Sequence, residues 1–297
     1  MNVSYDYYRI FYYVARYGSI TQAAKMLLAS QPNLTRAIKN LEAQLGCTLF
    51  VRNNRGIRLT PEGERLYEHV AIAHENMEAA EQELTGSRTL ERGTVCVAAS
   101  EIALHLVLLP VLKAYRALHP GIRFRIGNYL TAQAVDALKN GMADIAVVTT
   151  PTPLSATTEE IVVRPFREVA VCSRAYTDLA ARRVGFAELL RYPMISLGTQ
   201  TRSYELYSRF FAEHGLRYQP ETEAATADQI LPMVRADLGV GFVPPEFIIG
   251  ASDILTIETE EPLPGRQIRI VKRKEQSLSM AAKELERLLL SPLQTGN

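Results

Sequence analysis

Residues 30–46, which read SQPNLTRAIKNLEAQLG, restrict the fold more than any other stretch of the 297-residue chain. The apolar side chains with regular spacing in it are Leu34, Ile38, Leu41 and Leu45. Because they recur at intervals of four, three and four residues, they predict a helix with one buried stripe. Pro32 falls in the first turn, where a missing N–H costs nothing. The helix is therefore expected to pack on a core along one side while its first turn stays polar.

A second, shorter helix is predicted immediately before this one. Ser19 can cap its start, and Ala23 and Ala24 are small enough to allow close approach to a neighbouring helix. A break follows at 28–29, and Ser30 is the next capping candidate. Two short helices joined by a tight turn form a helix-turn-helix, whose second helix can reach base edges in the major groove of DNA. The polar side chains that we predict to contact DNA are Gln31, Pro32, Asn33, Thr35, Arg36 and Lys39. A solvated helix face has the same composition and is the alternative.

A basic hairpin is predicted after the second helix. Residues 47–60 read CTLFVRNNRGIRLT, in which asparagine and glycine mark a turn between two short strands. Arg52 and Arg55 flank or occupy this turn, and such a wing suits contacts to phosphates or to a minor groove. A solvated hairpin is the alternative.

The charge distribution separates this region from the rest of the chain. Residues 1–60 hold eight basic and two acidic residues, a formal charge of +6, whereas the remainder holds 25 basic and 30 acidic residues, a formal charge of −5. A small basic head on a mildly acidic body indicates that the head meets a polyanion, although chance imbalance on a solvated surface would look the same.

A long helix is predicted to connect the head to the body. Thr60 can cap it, and Pro61 suits its first position. Apolar residues then step by four, three, four, three and four, a heptad pattern over nearly three heptads. They are Leu66, Val70, Ala73, Met77, Ala80 and Leu84. A helix of about 28 residues is too long for an ordinary core helix, and its alanines favour close pairing with a second helix. Packing on the chain's own body is the alternative.

The body alternates short β runs with helices. Its first three runs, TVCVAAS, IRFRIGN and ADIAVVT, are separated by helical segments, an order that requires a parallel sheet with right-handed crossovers. The proline-rich stretch 150–160 is predicted to cross to a second lobe, and the chain is predicted to return from about Gly265. We therefore expect lobe I over about 91–161 and 266–297, and lobe II over about 162–265.

Hydroxyl and amide side chains gather where strands of the body end and helices begin. Such positions lie beside the free N–H groups of helix N-termini and suit a small ligand in a cleft between the lobes. The candidates are Ser100, Thr131, Thr149, Thr150, Thr199, Gln200 and Thr201. Plain helix capping explains each of them at least as well.

The 46-residue stretch GSITQAAKMLLASQPNLTRAIKNLEAQLGCTLFVRNNRGIRLTPEG resembles the signature of LysR-type transcriptional regulators. The body segments ALKNGMADIAVV and MVRADLGVGFVP resemble that family more loosely, and Asp237 stands where relatives usually have glycine. Aspartate tolerates the left-handed backbone conformation better than most residues, so we expect little disturbance there.

This resemblance implies an all-α winged helix-turn-helix head and an α/β body. The expected parts are a DNA-binding domain at 1–59, a linker and dimerisation helix at 60–90, and a two-lobed periplasmic-binding-protein-like (type 2) effector domain at 91–297. The implied function is a transcriptional regulator, a homodimer or homotetramer, that binds double-stranded operator DNA. The implied ligand is a small-molecule effector bound between the lobes.

Other classes of function lack their sequence signatures. The segment GVGFVP precedes a strand and lacks the third glycine of a dinucleotide site, and neither a phosphate-binding loop nor a nucleophile elbow occurs. The five histidines and three cysteines are scattered. We expect no enzyme activity, no cofactor and no metal site. With no signal-peptide pattern and no long apolar run, the chain is expected to be cytoplasmic and not membrane-bound. An enzyme or solute-binding body fused to a DNA-binding head is the alternative.

Overall fold

The computed structural model describes residues 3–53, 56–84, 90, 93–153, 155–274 and 276–291. The chain divides into two compact units, Met1–Arg88 and Thr89–Asn297. The first unit is mostly helical, and the second contains two five-stranded sheets.

The described part of the first unit consists of helices and one hairpin, as the sequence predicts. In chain order its elements are α1 (Tyr5–Tyr17), α2 (Ile20–Met26), α3 (Gln31–Leu45), β1 (Phe50–Asn53), β2 (Gly56–Leu59) and α4 (Pro61–Leu84). Ser19 accepts a hydrogen bond from the Gln22 N–H and caps α2, whereas the Ser30 side chain makes no capping bond to α3. Residues 85–89, over which the predicted linker and its hinge continue, lie outside the described residues.

The apolar stripes of the helices meet in the core of the first unit. Phe11 and Val14 of α1 are fully buried against Leu34 and Leu41 of α3. Burial of one such side chain contributes roughly 1.5–3 kcal/mol, so the predicted stripe is what holds α3 in place.

The first lobe of the second unit is built around a sheet with the strand order β4-β3-β5-β12-β6. Its elements up to the first crossover are β3 (Gly93–Ala99), α5 (Glu101–Ala103), α6 (Leu109–Leu118), β4 (Ile122–Asn128), α7 (Thr131–Lys139), β5 (Ile145–Thr149) and β6 (Thr158–Arg167). A π-helical turn, Leu104–Leu108, joins α5 to α6, so that one helical run follows β3. β3 is parallel to β4 and β5, which confirms the predicted βαβαβ arrangement.

The second lobe is built around the other sheet. Its helices and strands are β7 (Val169–Ser173), α8 (Thr177–Ala180), α9 (Phe186–Leu189), β8 (Met194–Leu197), α10 (Arg202–Glu213), β9 (Thr222–Ala224), α11 (Ile230–Arg235), β10 (Val240–Val243) and β11 (Ile254–Ile257). Short 3₁₀ turns lie at Arg174–Tyr176, Ala227–Gln229 and Pro245–Ile248. The chain then returns to the first lobe as β12 (Gly265–Arg273) and α12 (Met280–Leu289). This sheet, with the order β11-β7-β10-β8-β9, is mixed, because β7 is antiparallel to both of its neighbours.

The first crossover between the lobes is later than the sequence predicts. Stretch 150–160 was expected to leave the first lobe, yet β6 remains in the first sheet and pairs with β12 along its full length. The crossover is therefore at Glu168, and the expected lobe boundary at 161 cuts through a strand. The prolines misled the prediction because Pro151 and Pro153 lie between β5 and β6, in a connection between two strands of the same sheet.

Candidate functional site

Helix α3 presents two chemically distinct faces. Leu34, Ala37, Ile38 and Leu41 are buried. Of the predicted DNA contacts, Gln31, Pro32, Asn33, Arg36 and Lys39 are exposed, and Thr35 is half-buried. The structure thus places all six on the side of α3 that faces away from its buried stripe.

One neighbour of this face escaped the sequence prediction. The side-chain amide of Gln31 donates a hydrogen bond to the Thr21 hydroxyl, with 2.9 Å between Nε2 and Oγ1. Thr21 is on α2, so the bond ties the first residue of α3 to the preceding helix. The hydroxyl of Thr21, in the GSITQAA segment, is the sequence feature from which this contact could have been predicted.

The predicted wing is an antiparallel pair of strands. β1 and β2 pair from Phe50↔Leu59 to Asn53↔Gly56. Arg52 lies on β1, but its side chain is outside the described residues, and so is Arg55 as a whole. Arg58, which was not among the predicted contacts, is exposed on β2.

The predicted seam of α4 is divided between two environments. Val70 is buried and Leu66 is half-buried in the core of the same first unit. These two residues pack on the core of the chain's own head, which is the alternative that the sequence left open for this helix. The reason is a second apolar stripe, through Tyr67, Val70 and Ala71, which faces α1. Ala73 and Met77 are exposed, and the side chains of Ala80 and Leu84 lie outside the described residues.

The predicted effector residues of the first lobe gather at one edge of its sheet. The Thr131 hydroxyl donates to the Thr149 carbonyl at 3.1 Å, and the Ser100 N–H donates to the Val147 carbonyl at 3.0 Å. Ser100, Thr131 and Thr149 are buried, and Thr150 is half-buried. The Ser100 hydroxyl meets no hydrogen-bond partner among the described residues.

The predicted residues of the second lobe divide differently. Thr201 is buried and caps α10, because its hydroxyl accepts a hydrogen bond from the Tyr204 N–H at 3.1 Å. Thr199 and Gln200 are exposed in the preceding turn. Capping therefore accounts for Thr201 without a ligand.

A buried ion pair between the two crossovers is the feature that the sequence prediction missed. Arg266, the second residue of β12, and Glu168 have side chains that are 2% and 5% exposed, and their charged atoms lie 2.9 Å apart. Breaking such a pair by removing one partner typically costs about 3–5 kcal/mol. Strand alternation in the sequence could have predicted the burial of Arg266, because Arg266 lies on the same strand face as the buried Ile268 and Ile270.

This pair also connects the candidate effector residues. The Arg266 guanidinium donates to the Thr150 carbonyl at 2.9 Å, to the Thr149 hydroxyl at 2.9 Å and to the Ser203 hydroxyl at 3.0 Å. The Tyr207 hydroxyl donates to Glu168. Burial, together with the charge of Glu168, raises the pKa of Tyr207 well above its ordinary value, so this hydroxyl keeps its proton.

The described residues contain neither a candidate membrane span nor a candidate metal-binding group. No helix in these ranges is long and apolar enough to cross a membrane. Within the same ranges, no group of three or more histidine, cysteine or acidic side chains is placed to hold a metal ion.

Sequence comparisons agree with the two-unit organisation. Residues 5–64 match the model of the bacterial regulatory helix-turn-helix proteins of the lysR family, and residues 88–293 match the LysR substrate binding domain. An uncharacterized HTH-type transcriptional regulator of Escherichia coli (strain K12), YbhD, is 28% identical over 289 residues, which are 95% of this chain and 90% of that protein. A RuBisCO operon transcriptional regulator of Allochromatium vinosum is 24% identical over 295 residues, 98% and 97% of the two chains.

Solved structures show the same fold. CbnR in complex with its target DNA matches with a TM-score of 0.70 at 19% identity, covering 96% of this chain and 98% of that one. A probable transcriptional regulator from Pseudomonas aeruginosa, PA0477, matches with a TM-score of 0.69 at 19% identity, covering 96% of both chains. With a basic helix-turn-helix unit, a two-lobed α/β unit and family matches over both, the chain belongs to the LysR family of DNA-binding transcriptional regulators.

Proposed function

We propose that the chain regulates transcription by inserting the exposed end of α3 into a major groove of operator DNA, with the wing on the adjacent backbone. The observation that carries this proposal is the division of α3 into a buried stripe and an exposed polar and basic end. Gln31, Asn33 and Thr35 can reach base edges, whereas Arg36 and Lys39 suit phosphates or guanine. CbnR, a structural neighbour, has been solved with its target DNA, and the analogy supports the same use of this face.

Arg36→Ala tests this proposal directly. We expect operator affinity to fall by roughly fivefold to a hundredfold, because the loss of one phosphate or base contact costs about 1–3 kcal/mol. The measurement is a gel-shift titration at fixed salt, on DNA selected from a random pool by the wild-type protein. Gln44→Ala, which truncates an exposed side chain near the other end of α3, is the matched control. Equal affinities of the two variants would refute the assignment of this face.

The second unit is proposed to bind a small-molecule effector between its lobes. Support comes from the hydroxyls of Ser100, Thr131 and Thr149, which are buried together at the carboxyl edge of the first sheet. Thr150, Thr199, Gln200 and Thr201 remain candidates for the same site. The family model for this unit is a substrate binding domain, and we propose the lobes as 93–167 with 265–291, and 168–264.

Assembly is proposed to use the exposed side of α4. Ala73 and Met77 are exposed and lie outside the head core. Ala80 and Leu84, whose side chains are outside the described residues, continue the heptad pattern in the sequence. We propose a homodimer or homotetramer on this basis.

The chain is further proposed to act in the cytoplasm and without enzyme activity. Its family consists of transcriptional regulators, and the sequence lacks the signatures of catalytic sites noted above. The alternative, a body that metabolises its ligand, predicts turnover of small organic acids incubated with the purified protein.

A further inference from the structure

The guanidinium of Arg266 is already engaged by the chain itself. It carries five N–H donors, and four of them meet acceptors within the second unit. These acceptors belong to Thr149, Thr150, Glu168 and Ser203. The Arg266 guanidinium, which lies among the proposed effector residues, therefore has only one N–H donor left for a ligand.

Glu168 is held at Arg266 from both lobes. It is the crossover residue between β6 and β7, and its Oε2 accepts hydrogen bonds from Arg266 at 2.9 Å and from Tyr207 on α10. A carboxylate against a guanidinium is also how proteins commonly hold an anionic ligand. The side chain thus lies where the carboxylate of a bound molecule would be expected.

We propose that Glu168 is a built-in anion, whose carboxylate occupies the position at Arg266 that an effector carboxylate would take. The effector group that faces this end of the cleft is then uncharged. This inference rests on the proposed effector function of the second unit and specifies its ligand.

The hydrogen-bonding groups that remain for a ligand are neutral. Ser100 has a buried hydroxyl without a partner among the described residues. Thr149 accepts from Arg266 through its hydroxyl oxygen, which leaves its own proton to donate, and Thr131 donates its proton to a carbonyl, which leaves its oxygen to accept. Donors and acceptors without formal charge match a hydroxyl, carbonyl or amide group of the effector.

An external carboxylate is disfavoured at this position. It would have to displace Glu168, which leaves that carboxylate and the Tyr207 hydroxyl without their partners in a buried site. If it bound beside Glu168 instead, two like charges would share one guanidinium in a poorly solvated environment.

Carboxylate rescue of Glu168→Ala in the full-length protein tests the proposal. This variant removes the built-in anion and leaves space beside Arg266. We expect its melting temperature to fall, and sodium formate or acetate to raise it saturably, by roughly 3 °C at ten times the dissociation constant. Sodium chloride at the same ionic strength should not reproduce this rise, and the double variant Glu168→Ala/Arg266→Met should lose it.

Glu160→Ala is the matched control for the loss of a paired carboxylate. Glu160 contacts Arg269 at 2.5 Å, but the two side chains are 20% and 30% exposed. Water can replace this carboxylate, so we expect no saturable rescue by formate or acetate. A folded Glu168→Ala variant that responds no more than Glu160→Ala would overturn the proposal.

The wild-type protein provides a second arm that does not depend on the folding of Glu168→Ala. Formate, acetate, succinate and benzoate should change its melting temperature no more than chloride does, and a flat response supports the proposal. A saturable rise that Arg266→Met abolishes would show that Arg266 accepts an external carboxylate, which contradicts it. Because neither arm requires DNA, a failure of operator binding would refute the proposed function separately.

Discussion

At the scale of single residues, two left-handed backbone positions differ in how well their side chains fit them. Asp237 has φ 60°, and its carboxylate accepts a hydrogen bond from the Ser173 hydroxyl at 2.5 Å. The sequence comparison with glycine-bearing relatives predicted this conformation. Leu28, in the turn between α2 and α3, has φ 50° and a side chain that is 95% exposed. An exposed leucine gains no burial that would offset the steric cost of this conformation.

Leu28→Asn should therefore stabilise the first unit. Leucine in the left-handed region costs roughly 1–2 kcal/mol, and asparagine is several-fold enriched there, so we expect a gain of about 1 kcal/mol. The free energy of unfolding can be read from amide hydrogen exchange of α1 and α3 in the full-length chain. Leu28→Ala is the control, because it removes the apolar side chain but keeps the unfavourable Cβ. Equal amide protection of α1 and α3 in Leu28→Asn and Leu28→Ala would show that relief of backbone strain is not the cause of the stabilisation.

At the scale of elements, the sequence predicted the helices and strands whose apolar periodicity matches the face that is buried in the structure. α3 is an example, because four leucine and isoleucine side chains at helical spacing leave one way to bury them. β6 is the counter-example, because its exposed edge position allows proline and charged residues that resemble a loop in sequence. Its assignment depends on pairing with β12, about a hundred residues later in the chain. Contacts this distant leave no local signal.

The end of α10 carries a histidine whose titration should depend on a distant loop. His214 follows the last residue of α10, and its imidazole contacts the Phe210 carbonyl at 2.8 Å and the Glu261 carboxylate at 3.1 Å. These two contacts raise the pKa of His214 above its ordinary value. A raised pKa in the folded state means that the associated stability is fully present below the unfolded pKa, near 6.5, and is lost as the pH rises through the folded pKa.

Replacement of the carboxylate should move this titration in a known direction. In Glu261→Gln we expect the pKa of His214 to decrease, because the amide cannot compensate the charge of the imidazolium. The Phe210 carbonyl remains, so part of the upward shift should persist. NMR titration of the His214 ring protons in both proteins measures it. A wild-type pKa at or below 6.5, or an unchanged value in the variant, would contradict the assigned cause.

At the scale of the second unit, the candidate site depends on where the chain crosses between its lobes. Glu168 precedes β7 at the first crossover, and Arg266 follows Gly265 at the second. The sequence predicted the hydroxyls near the strand ends, because strand ends are local features. It did not predict the ion pair, since two residues about a hundred positions apart become neighbours only when both crossovers meet beside β6 and β12. The position of these two charges in the site is therefore determined by the topology of the whole unit and not by local sequence.

At the scale of the whole molecule, the exposed and the buried residues of α4 predict opposite effects of mutation on the mass of the assembly. Met77 is 45% exposed, whereas Val70 is 8% exposed in the head core. If the exposed side of α4 pairs with a second copy, Met77→Asp places a charge in that interface and should lower the mass measured by light scattering. Val70→Ala leaves the interface intact but opens a cavity in the head, so it should cost roughly 1–3 kcal/mol of head stability without a change in mass. An unchanged mass with Met77→Asp would refute pairing through the exposed side of α4, and a mass that also falls with Val70→Ala would refute the division of α4 between its own head and a partner.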